Sequence, residues 1–205
     1  MKNRISNHQP LSNRRNILKL LGLSISGVSI GACLTAESAA LPDLGSGDVG
    51  IMNLALILET LEADYYSKVM ASPYQGMNRM ERDILGDIGA HEIAHRDFFR
   101  KLLGSSAVTG LVFDFSKINF SSRESVLVAA RNFEDLGVAA YNGAANEIRD
   151  AAVLAAAGSI VSVEGRHAAV IRSLLDPFSA SFAPTALDDA YNPPVVKAKV
   201  APFIA

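Results

Sequence analysis

His91-Glu92-Ile93-Ala94-His95-Arg96-Asp97-Phe98-Phe99 decides the fold, because it sets an acid and an imidazole where a helix should be apolar. At 100° per residue, Glu92 and His95 fall between Ile88 and Phe99, on the face that also carries Ile84, Leu85 and Leu102. Val163-Glu164-Gly165-Arg166-His167 repeats the pattern, with Glu164 and His167 between Ile160 and Ile171. Burying an ionised carboxylate without a partner costs several kcal/mol, so two such pairs on core-facing stripes demand a compensating charge.

Working outward, each of these helices is preceded by another long amphipathic run. From about Val49 to Met70, Asn53, Thr60, Asp64 and Ser67 make one side, and Ile51, Leu58, Leu61 and Tyr65 lie towards the other, with Asp48 a suitable N-cap. The second run spans about Asn78 to Leu103 and stops at Gly104. Ser121 and Glu124 have the spacing of a capping box for a third helix running to about Arg149. In it Glu134 stands among Leu127, Ala130, Val138 and Tyr141. Asp150 caps a fourth, Ala-rich helix that Asp176-Pro177 ends. The links at 71–77 and 149–150 are short and join antiparallel neighbours, whereas 104–120 can travel the length of a bundle. The expected fold is all-α, two antiparallel helical hairpins joined by one long crossover over residues 49–176, with an extended Pro-containing tail over 177–205.

In the first helix, the direction opposite Asn53, Thr60 and Asp64 passes almost through Glu62. Glu62 to Glu92 and Glu134 to Glu164 are both 30 residues, and Glu62 to His95 and Glu134 to His167 are both 33. The chain therefore reads as two copies of one hairpin related by a pseudo-two-fold. Glu59 would give 33 and 36 and sits at the edge of the apolar face, so it is the reserve candidate. Glu62, Glu92, His95, Glu134, Glu164 and His167 are thus candidate ligands for two iron or manganese ions, since both metals accept carboxylate and imidazole. Glu92 and Glu164 are suited to bridging, and six protein ligands leave positions open for water, dioxygen or peroxide. Tyr65, Tyr66 and Tyr141 fall near the ligands by helix position, where they could donate hydrogen bonds or pack.

His91-Glu92-Ile93-Ala94-His95 also matches the zinc-protease pattern H-E-x-x-H. The extended form fails, because Phe98 stands where glycine is needed and Lys101 where the third histidine should be. A protease would leave Glu134, Glu164 and His167 unexplained, so His91 is read as a surface residue or one that supports a ligand.

LALILETLEADYY in the first helix, HEIAHRDFF in the second, FEDLGVAAYNGAA in the third and VEGRHAAVIR in the fourth resemble the ferritin-like superfamily. The likeness is closer to its exported branch, which includes the plant desiccation-related proteins, and covers roughly Val49 to Leu175. It implies a four-helix bundle with the same six residues as metal ligands. Activity in this branch is poorly defined, so the resemblance implies a site more readily than a reaction.

The charge distribution separates the rest of the chain. Among 205 residues, 19 basic and 21 acidic ones give a formal charge of -2, which offers no cation surplus for a nucleic-acid partner. Yet every charged residue up to Ala36 is basic (Lys2, Arg4, Arg14, Arg15, Lys19), which leaves the remainder strongly acidic. Residues 1–33 read as an export signal whose weakly apolar stretch, Leu20 to Ala32, rises only ~20 Å as a helix, too short for a ~30 Å hydrocarbon core. Arg14-Arg15-Asn16-Ile17-Leu18-Lys19 resembles the twin-arginine signal of the route that exports folded proteins; the plainer alternative is an ordinary secretory signal. Ile30-Gly31-Ala32-Cys33 resembles a lipobox that would make Cys33 a lipid anchor, while cleavage after Ser38-Ala39-Ala40 would discard it. Residues 34–48 are a Ser/Gly/Pro-containing tether, and one cysteine excludes an internal disulfide.

These features point to an exported, periplasmic or envelope protein with an oxidoreductase centre, a ferroxidase or a consumer of peroxide. Non-catalytic metal storage, which needs an oligomer of many chains, and structural stress protection are the competing classes. Replacing Arg14 and Arg15 together by lysine is expected to leave unprocessed precursor inside the cell, read by fractionation; unchanged export would return the segment to the ordinary secretory class.

Overall fold

A computed structural model describes residues 41–205. The segment read as an export signal, with Arg14, Arg15 and Cys33, and the expected tether up to residue 40 lie outside the described residues. Four long helices follow, α1 (Gly47–Ala71), α2 (Arg79–Leu103), α3 (Arg123–Ala144) and α4 (Ala151–Leu175), then a short α5 (Pro193–Val200).

Local chemistry sets most of the helix ends. Asn78 accepts from the Glu81 amide at 2.9 Å while the Glu81 carboxylate accepts from the Asn78 amide at 3.2 Å, a complete capping box at the start of α2. Gly104 ends α2 at φ 54°, a conformation that costs glycine nothing. Asp150 caps α4 through the amides of Ala152 and Val153. Three ends differ from the sequence reading. Ser122, rather than Ser121, caps α3 by accepting from the Ser125 amide. Asp48 is not a cap of α1: its carboxylate accepts from the Arg149 amide at 3.0 Å and the Asp150 amide at 2.8 Å, on the turn between α3 and α4. α3 stops at Ala144 instead of Arg149, because the backbone must turn into the extended conformation that Asp150 needs as a cap and that Asp48 holds.

The contacts define the topology. Asp48 ties the start of α1 to the α3–α4 turn, while Arg123, at the start of α3, donates to Glu81 at 2.6 Å and to the Leu174 carbonyl at 2.7 Å. One end of the bundle thus gathers the start of α1 and the α3–α4 turn, and the other the starts of α2 and α3 with the end of α4. Helix α1 packs mainly on α2 and α3 mainly on α4, with α1 also on α3 and α2 on α4. The link after α2 crosses from one end to the other along α1. Near its beginning the Val108 amide bonds the Asn53 side chain, and further on Phe115 and Phe120 lie against the Tyr65 ring.

This crossover alters the reading of α1, whose Asn53 and Thr60 are buried rather than solvated. Asn53 donates to the carbonyls of Leu44 and Ser106 at 3.0 and 2.9 Å and accepts from the Val108 amide at 2.9 Å. Thr60 returns its hydroxyl to the Leu56 carbonyl of its own helix. The tail also covers this side, and its residues 193–200 are helical rather than extended. Pro193 and Pro194 occupy the first turn of α5, where their missing amides cost nothing, and Asn192 caps it. Val196 and Val200 then pack with Leu54, Ile57, Leu58, Leu136 and Ala140, and the last residues pair with the crossover through Asp114 and Ala205 amides.

Two further apolar clusters lie in the bundle. One holds Leu61, Tyr65, Leu85, Ile88, Leu127, Phe133 and Ile171; the other holds Met52, Leu56, Phe99, Leu103, Tyr141 and Ile160. Between them runs a layer that is not apolar at all. Asn53→Ala is expected to leave the carbonyls of Leu44 and Ser106 and the Val108 amide without these partners, lowering stability by about 1–3 kcal/mol in urea unfolding. A change below a few tenths would mean that water replaces the clip.

Candidate metal centre

The intervening layer holds Glu59 and Glu62 from α1, Glu92 and His95 from α2, Glu134 from α3, and Glu164 and His167 from α4. All five carboxylates are at most 1% exposed, and each lies near the middle of a helix, as far as possible from water at either end. The i, i+3 spacing puts acid and imidazole side by side on one face of α2 and of α4.

The inner nitrogen of each histidine faces three carboxylates. His95 Nδ1 lies 3.3 Å from Glu59 Oε2, 3.3 Å from Glu92 Oε2 and 3.1 Å from Glu164 Oε1. His167 Nδ1 lies 2.8 Å from Glu92 Oε1, 3.3 Å from Glu134 Oε2 and 3.9 Å from Glu164 Oε2. Glu92 and Glu164 therefore each turn one oxygen towards either histidine, while Glu59 and Glu134 each serve one side. The layer divides into Glu59, Glu92, His95, Glu164 and Glu92, Glu134, Glu164, His167, and in each group one ligand atom per residue lies within 4.8 Å of the rest. Either group could hold a metal ion.

Tyrosines fix the outer carboxylates. Tyr141, on α3, donates to Glu59 Oε1 on α1; Tyr66, on α1, donates to Glu134 Oε1 on α3. Each tyrosine follows a cluster glutamate by seven residues on its own helix and bonds the glutamate of the other. Burial first, and then the neighbouring carboxylates, push both phenols far above their usual range, so both remain donors. Tyr65 takes no part, since its hydroxyl donates to the Val126 carbonyl.

Of the six sequence candidates, the structure brings Glu92, His95, Glu134, Glu164 and His167 into the two groups, and Glu59 completes them. Glu62 lies outside both groups, yet it is buried against them with neither oxygen hydrogen-bonded. A Cβ placed on Gly137 would stand 3.4 Å from Glu62 Oε1 and 3.3 Å from Glu164 Oε2, so Gly137 leaves the space in which this acid fits. Equal spacing along the chain favoured Glu62, but the two hairpins are not equal. Twelve residues of α1 follow Glu59 where ten of α3 follow Glu134, and the link after α1 is one residue longer. The seven-residue Glu–Tyr spacing, shared by Glu59–Tyr66 and Glu134–Tyr141, is the signal that singles out Glu59. His91 belongs to neither group. Its Nδ1 lies 2.9 Å from the outer nitrogen of His167, which leaves the first histidine of the H-E-x-x-H motif outside the ligand groups that hold Glu92 and His95.

The cluster is electrostatically frustrated when only protons balance it. Burial, reinforced by neighbouring carboxylates, drives Glu62 and Glu164 well above the ordinary carboxylate range, and burial raises Glu134 and carries Glu59 up to about 7. Burial pushes the imidazoles down, but their carboxylate partners outweigh it and lift His95 to about 12 and His167 to about 10. Burial also opposes ionisation of Glu92, yet contact with both histidines holds it down to about 2. Among the described residues, Glu59 Oε2, Glu92 Oε1, Glu134 Oε2 and both oxygens of Glu164 meet the histidine Nδ1 atoms at 2.8 to 3.9 Å without the alignment of a hydrogen bond.

Residues 47–177 match the family model described as a ferritin-like domain. No curated protein matches the chain.

Proton linkage in the metal-free protein has a definite sign. His95 and His167 keep protons in the fold that they release near 6.5 when unfolded; their contribution is complete below that pH and disappears as pH rises through about 10 and then about 12. Glu59, raised from 4.5 to about 7, likewise favours the fold while protonated and loses that contribution between those values. Within the layer Glu92 acts in reverse, its contribution being lost as pH falls from 4.5 towards about 2. The urea midpoint of metal-free protein is therefore expected to fall steadily from about pH 5 to about pH 9; a rising midpoint would contradict the assignment.

Proposed function

Because the chain belongs to the ferritin-like domain family, we propose that its buried layer holds a dinuclear iron or manganese centre and that the protein is an exported oxidoreductase acting on dioxygen, peroxide or the metal ion itself. The observation that carries this reading is the pair of four-ligand groups sharing Glu92 and Glu164. Five buried carboxylates on four helices, sharing two imidazoles and leaving Glu62 with neither oxygen bonded, are costly for a bundle that only has to fold, and divalent cations would satisfy them together.

The donor set fits the group. Glu92 and Glu164 would span both positions, Glu59 with His95 would complete one, and Glu134 with His167 the other; Glu62, beside Glu164, supplies a further carboxylate. Two iron or manganese ions so held supply joint two-electron chemistry towards dioxygen or peroxide. The chain's own residues do the rest. Tyr66 and Tyr141 keep Glu134 and Glu59 turned inward by one oxygen each. The apolar clusters containing Ile88 and Phe133 and containing Leu56 and Phe99 exclude bulk water from above and below. His95, the more exposed of the two histidines, marks the side from which a small reactant reaches the layer.

Export rests on the basic head of the chain, with the twin-arginine machinery as the partner of Arg14 and Arg15, and anchorage rests on Cys33. That route carries proteins already folded, which suits a centre assembled inside a closed bundle. The periplasm or cell envelope is the compartment, and the relation to desiccation-related proteins belongs to the same reading.

Protein isolated from its natural host is expected to contain about two iron or manganese ions per chain, and Glu134→Ala to lose at least one, by metal analysis. Metal at a hundredfold over its Kd should add about 2.7 kcal/mol to stability. Anaerobic loading with ferrous iron followed by oxygen or peroxide should then produce a ferric absorption at rates that Glu134→Ala abolishes. Natural-source protein with neither redox metal nor metal-dependent melting would overturn the reading and favour a structural stress-protection role.

A further inference from the structure

We propose that His91 is a positioning residue that makes the two halves of the centre unequal, by holding His167 in the one tautomer that can bind a metal ion. The proposal rests on the metal-centre reading above and goes beyond it, since that reading treats the halves alike.

His167 turns Nδ1 towards Glu92 and Glu134, and its opposite nitrogen, Nε2, lies 2.9 Å from His91 Nδ1. The two ring planes differ by only 10° with centroids 5.2 Å apart, which aligns one imidazole edge with the other for an in-plane hydrogen bond. A neutral imidazole has one protonated nitrogen and one with a free lone pair. If Nδ1 is to give its lone pair to an ion, Nε2 must carry the proton, and that proton needs an acceptor. His91 Nδ1 supplies it, so the contact that selects the tautomer also fixes the ring angle.

The other half lacks this device. Glu92-x-x-His95 and Glu164-x-x-His167 are equivalent under the pseudo-two-fold, and the residue before Glu92 is His91 whereas the residue before Glu164 is Val163. An aliphatic side chain brings no acceptor to the outer nitrogen of His95. Among the described residues, His95 is therefore oriented only by the carboxylates that would share its ion, while His167 is oriented from behind by a residue outside the ligand set. The position served by Glu92, Glu134, Glu164 and His167 should accordingly bind first and more tightly.

Cobalt(II) is the probe. Metal-free full-length wild-type protein, His91→Ala and His91→Gln are titrated calorimetrically, and crystals loaded with less than one equivalent are examined by anomalous diffraction. Wild type is expected to show two unequal steps, with the first ion on the His167 side. His91→Ala should weaken that step about 10–100-fold and move the first ion towards His95 or divide it between the two positions. His91→Gln, whose amide oxygen can accept the same proton, should restore the wild-type order. His91 is exposed, so the metal-free melting temperatures of the three proteins should agree, which separates positioning from folding. Two ions bound by His91→Ala with wild-type affinities and order would overturn the His91 proposal alone. Equal weakening at both positions would do the same. No cobalt uptake by wild type would overturn the metal-centre reading and the proposal with it.

Discussion

Five carboxylates and two imidazoles share one buried layer, and the architecture is organised around making that tolerable. The acids sit near mid-helix, so their own backbones offer them no free amides, and the apolar clusters on either side keep water out. In the absence of a cation, protons balance the layer: burial moves Glu59, Glu62, Glu134 and Glu164 upward while carboxylate partners hold the histidines charged.

Around that layer stands a second tier of residues that aim the first. Tyr66 and Tyr141 cross between α1 and α3 in reciprocal fashion, so that each helix positions the other's glutamate. Gly137 gives up a side chain to make room for Glu62 and Glu164. At Gly89, a Cβ would stand 2.9 Å from the Tyr66 side chain, so the missing side chain lets α1 approach α2 one turn before Glu92. The placing of these carboxylates thus depends on backbone spacing as much as on the identity of the side chains.

Helix α1 shows how the outer chain serves the same end. It contributes two acids and is buried on almost every side, because the crossover runs along it and the C-terminal segment packs on it through Val196 and Val200. Asn53 holds the crossover against α1 by hydrogen bonds to Ser106 and Val108 and the segment before α1 by one to Leu44, and Asp48 fastens the start of α1 to the α3–α4 turn. A helix so enclosed can carry polar residues on both faces without exposing either.

Local rules made much of this legible in the sequence. Periodicity located four long helices, Gly104 and Asp150 marked two of their ends, and the repeated Glu-x-x-His placed acid and imidazole on inward stripes. These features need only a helix of 3.6 residues per turn and the cost of burying charge, both properties of short stretches. Tertiary structure decided what depends on distance between helices. It chose Glu59 for the groups that chain spacing assigned to Glu62, because α1 and its link are longer than α3 and its own. It turned Asn53 and Asp48 from a solvated face and a cap into clips, shortened α3, and folded part of the tail into α5. It set His91 behind His167 rather than beside His95, since a side chain's partner across a bundle depends on helix rotation and offset, which residue order along one helix does not carry.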